Sequence, residues 1–252
     1  MRVVAVGAVL AASATACVAR PHPTTSITVY AASSLTKSFT AIGKDFEAAN
    51  PEYSVEFIFA STPNLSTALA DGAAADVFAS GDPGSMAVVA DAGAVSGMPE
   101  PFASNGLVVV TASGNPAHLT SFADLDRPGL RVAVCETAGA CGATTQLVED
   151  RSGSRFHPAT SERTPSRVLK DVTDGKVDAG VVFMSDAMDA GNDVSWFALP
   201  GDTSSVTSWI TVIKGSAEER EATQFVQEVT SAAGRRILAQ DGFGPPVKNP
   251  AG

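Results

Sequence analysis

The stretch "VYAASSLTKSF", Val29 to Phe39, admits two readings, and the choice between them decides the fold. Ser34-Leu35-Thr36-Lys37 fits S-x-x-K, the acylation motif of penicillin-binding enzymes. The whole stretch also reads as a strand whose small hydroxyl residues open a helix. Leu35, Phe39, Ile42 and Phe46 follow at helical spacing, and Asn50-Pro51 stops the run. Outward from there the alternation repeats. "YSVEFIFA" (53–60) predicts a strand and "STPNLSTALADG" (61–72) a helix ended by Gly72. "ADVFAS" (75–80) predicts a buried strand, "DPGSMAVVADAGA" (82–94) a helix and "GLVVVTAS" (106–113) a strand. This order implies a parallel sheet with helices on both faces.

The pattern then restarts. "LRVAVCE" (130–136) predicts a strand, and "ATTQLVEDRSG" (143–153) and "PSRVLKDVTDG" (165–175) helices. "DAGVVFM" (178–184), "VSWFALP" (194–200) and "SWITVIKG" (208–215) predict strands. One long final helix is expected from Ala217 to about Gln240, with Phe225, Val229, Ile237 and Leu238 inward. No Gly/Ser-rich linker separates the two sets. The chain therefore predicts two α/β lobes joined by crossing strands, placed near Ala103 to Ala112 and Ser208 to Lys214. The expected divisions are 27–105 with 211–252 as the first lobe, and 106–210 as the second.

Composition bounds the function. The 252 residues are 44% hydrophobic and 17% charged, with a formal net charge of −10. Nucleic acid and anionic membrane surfaces are poor partners for such a chain, because both reward clustered Lys and Arg. The N-terminus has the organisation of a signal peptide over 1–16: Arg2, an apolar core from Val3 to Ala12, and small residues at Ala14-Thr15-Ala16. That core is too short for a permanent bilayer span. Cys17 follows directly and resembles the acylated Cys of a bacterial lipobox, although Ala14 stands where Leu is usual. Plain secretion is the alternative. Residues 17–26, rich in Pro and Thr, read as a tether. Cys135 and Cys141 then remain, with five residues between them. In an oxidising compartment they can close a small loop, or stay as two thiols, since spacing does not fix geometry.

An S-x-x-K enzyme needs an S-D-N element and a K-T-G strand. The chain offers Ser185-Asp186-Ala187 and Lys214-Gly215-Ser216 instead. Its three histidines, His22, His118 and His157, are scattered, no G-x-S-x-G elbow exists, and no H-x-x-x-H or C-x-x-C provides a transition-metal site. Small and hydroxyl residues recur instead at strand-to-helix junctions: Ser33-Ser34, Ser61-Thr62, Ser80-Gly81 and Gly139 to Thr145. In parallel α/β sheets these junctions lie at the carboxyl ends of strands, where ligands bind. Free N–H groups at a helix start, with side-chain hydroxyls, can hold an oxyanion without Lys or Arg. Any one junction read alone is an ordinary N-cap.

"VYAASSLTKSFTAIGKDFEAANP" (29–51) and "FIFASTPNLSTALADGAAADVFASGD" (57–82) resemble the molybdate-binding proteins of bacterial ABC importers. That family carries V-F-A-A-A-S-L-T, F-A-S-S-S-x-L and G-A-x-A-D-[VL]-F-[IA]-S blocks. "GLVVV", "DLDRPGLRVAV", "DAGVVFMSDA" and "DGFGPP" are similar in order and spacing. The resemblance implies a type II periplasmic-binding-protein fold, each lobe a mainly parallel sheet flanked by helices. It implies a non-catalytic, monomeric carrier that closes over molybdate or tungstate and delivers it to a membrane permease. It implies no cofactor, and a membrane association through the lipid on Cys17 only. Carried over by position, the family's oxyanion donors fall on Ser34, on Thr62 with neighbouring Ser61, and on the backbone of Gly142.

Two positions depart from the family. Pro165 stands where a free N–H is frequent, and proline has none. Phe183 stands where a Tyr often offers its hydroxyl. Ser166, Thr144, Thr145 or a water are the candidate replacements. The departures keep a sulfate or other oxyanion carrier open as a rival. An organic ligand would call for an Arg or Asp reaching into the cleft, and the cup segments supply no obvious one. Lys37 reads as a solvated residue of the first helix.

Overall fold

The computed structural model describes residues 25–199 and 204–247. The expected signal peptide, Cys17 and the tether up to its last two residues lie outside the described residues. Strand β1 (Thr25–Ala32) runs through a 3-10 turn at Ser33–Leu35 into helix α1 (Thr36–Ala49). α1 is amphipathic, with Phe39, Ile42 and Phe46 buried on one face. Strand β2 (Tyr53–Ala60) and helix α2 (Thr62–Ala70) follow, then β3 (Val77–Ser80) and α3 (Pro83–Asp91). Pro63 and Pro83 each sit in the first turn of their helices, where the missing N–H is not needed.

β4 (Val95–Ala112) is the longest strand, at 18 residues. Its second half is the expected "GLVVVTAS". Its first half, "VSGMPEPFASN", was not expected to be strand, because Gly97, Pro99 and Pro101 disfavour a regular ladder. The structure accommodates them with register shifts between Ser96 and Glu100 and between Pro101 and Ala103. Beyond β4 come β5 (Val132–Cys135), α4 (Ala140–Ser152), the short β6 (Thr160–Glu162) and α5 (Pro165–Thr173). β7 (Ala179–Phe183), α6 (Met184–Ala190), β8 (Val194–Ala198) and β9 (Ser205–Ile213) complete the sheet.

The expected single C-terminal helix is two: α7 (Glu219–Thr230) and α8 (Ala232–Gln240). Ser231 breaks the run in an extended conformation, and its side chain accepts a hydrogen bond from the Gly234 N–H at 3.0 Å. A serine that caps a second helix competes with continuing the first. Gly234 permits the tight corner, since a Cβ there would lie 2.4 Å from the Glu228 carbonyl oxygen.

The strands form one path, β2-β1-β3-β9-β4-β7-β5-β6, with β8 also on β4. β1 pairs in parallel with β2 and β3, and β5 in parallel with β6 and β7. β4 and β9 run antiparallel to their neighbours and tie the two parallel groups together. The buried apolar residues divide accordingly. Two clusters draw on Ile27 to Ala103 and on Ile210 to Phe243, with Phe39 in contact with Phe57, Phe102 and Phe225. A third draws on Leu107 to Leu199. The parts built on these cores are the first and second lobes, and β4 passes between them at Gly106–Leu107.

Candidate functional site: a cleft between the lobes

The carboxyl ends of β1 and β2 in the first lobe and of β5 and β7 in the second border one cleft of about 400 Å³. Ser34, Ser61, Thr62, Pro165 and Phe183 all line it. The placement follows from the parallel pairing: Ala32 at the end of β1 lies opposite Ala60 at the end of β2. The residues that follow each strand therefore emerge side by side.

On the first lip, Ser34 is half-buried in the 3-10 turn and Ser61 is the exposed N-cap of α2. Neither hydroxyl has a hydrogen-bond partner among the described residues, so both can donate into the cleft. Thr62 is buried, and its Oγ1 accepts from the Gly81 N–H at 3.4 Å. That bond occupies an oxygen lone pair and leaves the Thr62 proton available. Ser80 is not available: it is fully buried, and its hydroxyl turns back to the Asp82 carbonyl.

On the second lip, Cys135 at the end of β5 and Cys141 in the first turn of α4 are joined as a disulfide, with Cα atoms 5.8 Å apart. Both residues line the cleft together with Gly139 and Ala140. The Ala143 N–H closes the first turn on the Gly139 carbonyl at 3.0 Å. The N–H groups of Ala140, Cys141 and Gly142 lie ahead of it, in the turn where a helix has no acceptors for them. Gly142 is not among the residues whose atoms line the cleft. It is buried one step behind the wall, where a Cβ would lie 2.2 Å from the Glu136 carbonyl oxygen and 2.5 Å from that of Cys135. Its requirement for glycine is one of packing, and Ala140 and Cys141 present the wall instead.

Pro165 stands in the first turn of α5 behind the N-cap Thr164, and Phe183 ends β7 and is buried. Of the candidate replacements for their missing donors, Ser166 alone borders the cleft, its hydroxyl 3.0 Å from that of Thr164. Thr145 gives its proton to the Cys141 carbonyl at 2.8 Å. Thr144 faces a neighbouring groove on the other side of α4.

Charged side chains also reach the cleft, from positions outside the hydroxyl-bearing junctions. Asp82, Glu136, Arg163, Asp186 and Asp189 line it, with the buried amide of Asn105. In sequence they stand apart from the hydroxyl-rich junctions, and Ser185-Asp186-Ala187 reads only as an incomplete S-D-N. The useful signal was a carboxylate three residues past the end of a buried strand. Burial pushes the Asp186 carboxyl up to about 7; the Phe183 backbone N–H partly opposes this, and the charge of Asp189 adds to it.

Lys37 is not merely solvated. Its Nζ lies 2.6 Å from Asp241 Oδ1 and 3.6 Å from Asp189 Oδ1, so it links α1 of the first lobe to α6 of the second. The hydrogen bond and charge of Asp241 raise its pKa. An ammonium held in this way cannot serve as the base that an S-x-x-K serine needs. No group of His, Cys, Asp and Glu able to hold a metal ion occurs among the described residues. No described helix is long and apolar enough to cross a membrane.

Residues 27–244 match a protein family described as bacterial extracellular solute-binding protein. The chain is 46% identical over 222 residues to the molybdate-binding protein ModA of Mycobacterium tuberculosis, covering 88% of this chain and 85% of that one. Among solved structures, the Azotobacter vinelandii periplasmic molybdate-binding protein superposes with a TM-score of 0.73 at 19% identity, over 88% of this chain and 100% of that one. The sulfate-binding protein SubI of M. tuberculosis does so with a TM-score of 0.72 at 21% identity, over 90% and 88%. The two folds are alike, so architecture alone does not separate one oxyanion from another.

Proposed function

The chain belongs to the bacterial extracellular solute-binding protein family and has the type II periplasmic-binding-protein fold; from that premise we propose that its interlobe cleft captures molybdate, and tungstate with it, for an ABC importer. One observation carries the proposal. The unpartnered hydroxyls of Ser34 and Ser61, the Thr62 proton and the first-turn N–H groups of α4 border the same cleft from opposite lobes. These donors suit a tetrahedral dianion, and hydrogen bonds to a full charge are the strong ones. Identity to a molybdate-binding relative supports molybdate over sulfate.

The lobes act as two rigid bodies hinged where β4 and β9 cross. A dianion entering the open cleft bonds first to one lip, and closure brings the other lip's donors onto its remaining oxygens. Closure also excludes water, which strengthens each of those bonds. The closed form presents both lobe surfaces to the membrane permease. The protein performs no chemistry on its cargo. It is held outside the cytoplasm by lipid on Cys17 and acts as a monomer.

Calorimetric titration with molybdate, tungstate, sulfate and phosphate tests the assignment. Molybdate and tungstate are expected to bind at least a hundredfold tighter than sulfate, whose S–O bonds are shorter and leave the same cup underfilled. Equal binding of sulfate would make this a sulfate carrier, the rival that the Pro165 and Phe183 departures keep open.

A further inference from the structure

Among the described residues, Arg163 is the one Lys or Arg that lines the cleft. It follows the last residue of β6, and Thr164, Pro165 and Ser166, which open α5, border the cleft with it. Parallel pairing sets its place. Cys135 lies opposite Glu162 at the carboxyl ends of β5 and β6, and the Glu136 N–H donates to the Glu162 carbonyl at 2.8 Å. Arg163 therefore leaves its strand beside Glu136, on the second lip.

No neighbour neutralises its charge. Other cations of the second lobe are engaged: Arg167 lies 3.6 Å from Glu162, Arg131 2.7 Å from Asp178 and Lys176 2.8 Å from Asp171. Arg155 donates to the carbonyls of Glu149 and Ser154 at 3.0 and 2.7 Å. Arg163 is exposed and makes no hydrogen bond or ion pair among the described residues.

A dianion approaching this cleft meets a chain of formal net charge −10, with Asp82, Glu136 and Asp189 lining the cleft itself. The hydroxyls and N–H groups of the two lips act over little more than hydrogen-bond distance. They do not offset repulsion felt several ångströms further out, whereas a full charge does, because Coulomb attraction falls off slowly with distance. We propose, resting on the oxyanion reading above, that Arg163 makes the cleft attractive to a dianion. It acts through its unpaired charge, as a positioning residue, and not as one of the donors of the cup. A cation at the edge of a binding site characteristically shows itself in the salt dependence of binding.

Calorimetric titration of the protein with sodium molybdate at two ionic strengths tests this. A unit charge about 7 Å from a dianion, in water-like surroundings, changes affinity roughly fourfold at about 20 mM salt. Arg163→Gln should therefore bind about fourfold more weakly than the wild type there. At about 0.5 M salt, where screening acts within a few ångströms, the two should agree within about twofold. Arg163→Lys keeps the charge and should recover most of the affinity at low salt. Arg151→Gln is the control, because it changes the net charge equally. That exposed arginine stands in the last turn of α4, about 16 Å along the helix from Ala140. Its loss should shift affinity by less than about 1.5-fold at either salt. Melting curves establish that each variant is folded. Equal affinities of the wild type and Arg163→Gln at low salt overturn the role of Arg163 and leave the carrier reading intact. A deficit that persists unchanged at high salt, or that Arg163→Lys does not repair, makes the arginine a direct contact and overturns the proposal equally. So does an Arg151→Gln variant as weak as Arg163→Gln, since the effect then belongs to the charge of the whole chain. Failure of the wild type to bind molybdate at either salt overturns the carrier reading itself, and this proposal with it.

Discussion

The two lips of the cleft are built by different means. The first lip offers side-chain hydroxyls on residues that need no special backbone: Ser34 in a 3-10 turn, Ser61 as an N-cap and Thr62 behind it. The second lip offers main chain, held in place by the Cys135–Cys141 disulfide and by Gly142, where a Cβ would meet two backbone carbonyl oxygens. Donors on side chains can be lost one at a time. Donors on main chain depend on the packing that holds the chain, so a single change there removes several together. The contrast separates positions where substitution alters binding alone from positions where it alters the fold.

The largest effect should come from beneath the first lip. Phe39 is fully buried, with ring contacts to Phe57, Phe102 and Phe225 at 6.4, 5.8 and 6.1 Å. Phe39→Ala should destabilise the protein by about 3–5 kcal/mol in urea unfolding. A loss below about 1 kcal/mol would mean that α1 does not anchor the lip. Next, Gly142→Ala drives a Cβ into two carbonyl oxygens that cannot move aside as a flexible side chain would. It should destabilise by about 3 kcal/mol and weaken oxyanion binding as well. Unchanged stability would show that the α4 turn is looser than its geometry indicates.

The double variant Cys135→Ser with Cys141→Ser should destabilise by roughly 2 kcal/mol, the magnitude expected of a short closed loop. Mild reduction of the native protein should reproduce it, with molybdate affinity falling in parallel. Stability lost without any change in affinity would make the bond structural only. Ser34→Ala removes one donor to a charged ligand and should weaken binding about tenfold, with the unfolding curve unmoved. That separation of affinity from stability is the sharpest test of the contrast between the lips. The smallest effect is expected from Lys37→Gln. Its ion pair crosses the lobes but is well exposed, at 63% for the lysine side chain. The variant should open slightly more readily at low salt and match the wild type at high salt. A salt-independent defect would point to a role beyond the ion pair.

How far the site was legible depended on the kind of donor. Ser34, Ser61 and Thr62 could be found because a hydroxyl at a strand-to-helix junction is written in residue identity and spacing. Phe183 and Pro165 were found the same way, as departures in register with recognisable blocks. Asp186, Asn105 and Arg163 were not found, because nothing local distinguishes them; they matter through which strand end they share. The first half of β4 was hidden by its glycine and prolines, which β4 itself accommodates through register shifts against β9. The break at Ser231 was hidden because an amphipathic pattern continues on both sides of it.

Residue pattern alone determined the alternation of strand and helix and the hydroxyl-rich junctions, since each depends on neighbours a few positions apart. Tertiary structure decided which junctions face one another. It also decided that Ser80 is spent on its own turn, that Gly142 supports a wall formed by Ala140 and Cys141, and that Lys37 is held by carboxylates. Pairing and burial between distant segments set these outcomes: Ala32 meets Ala60, and Lys37 meets Asp189 and Asp241, only after the sheet has formed.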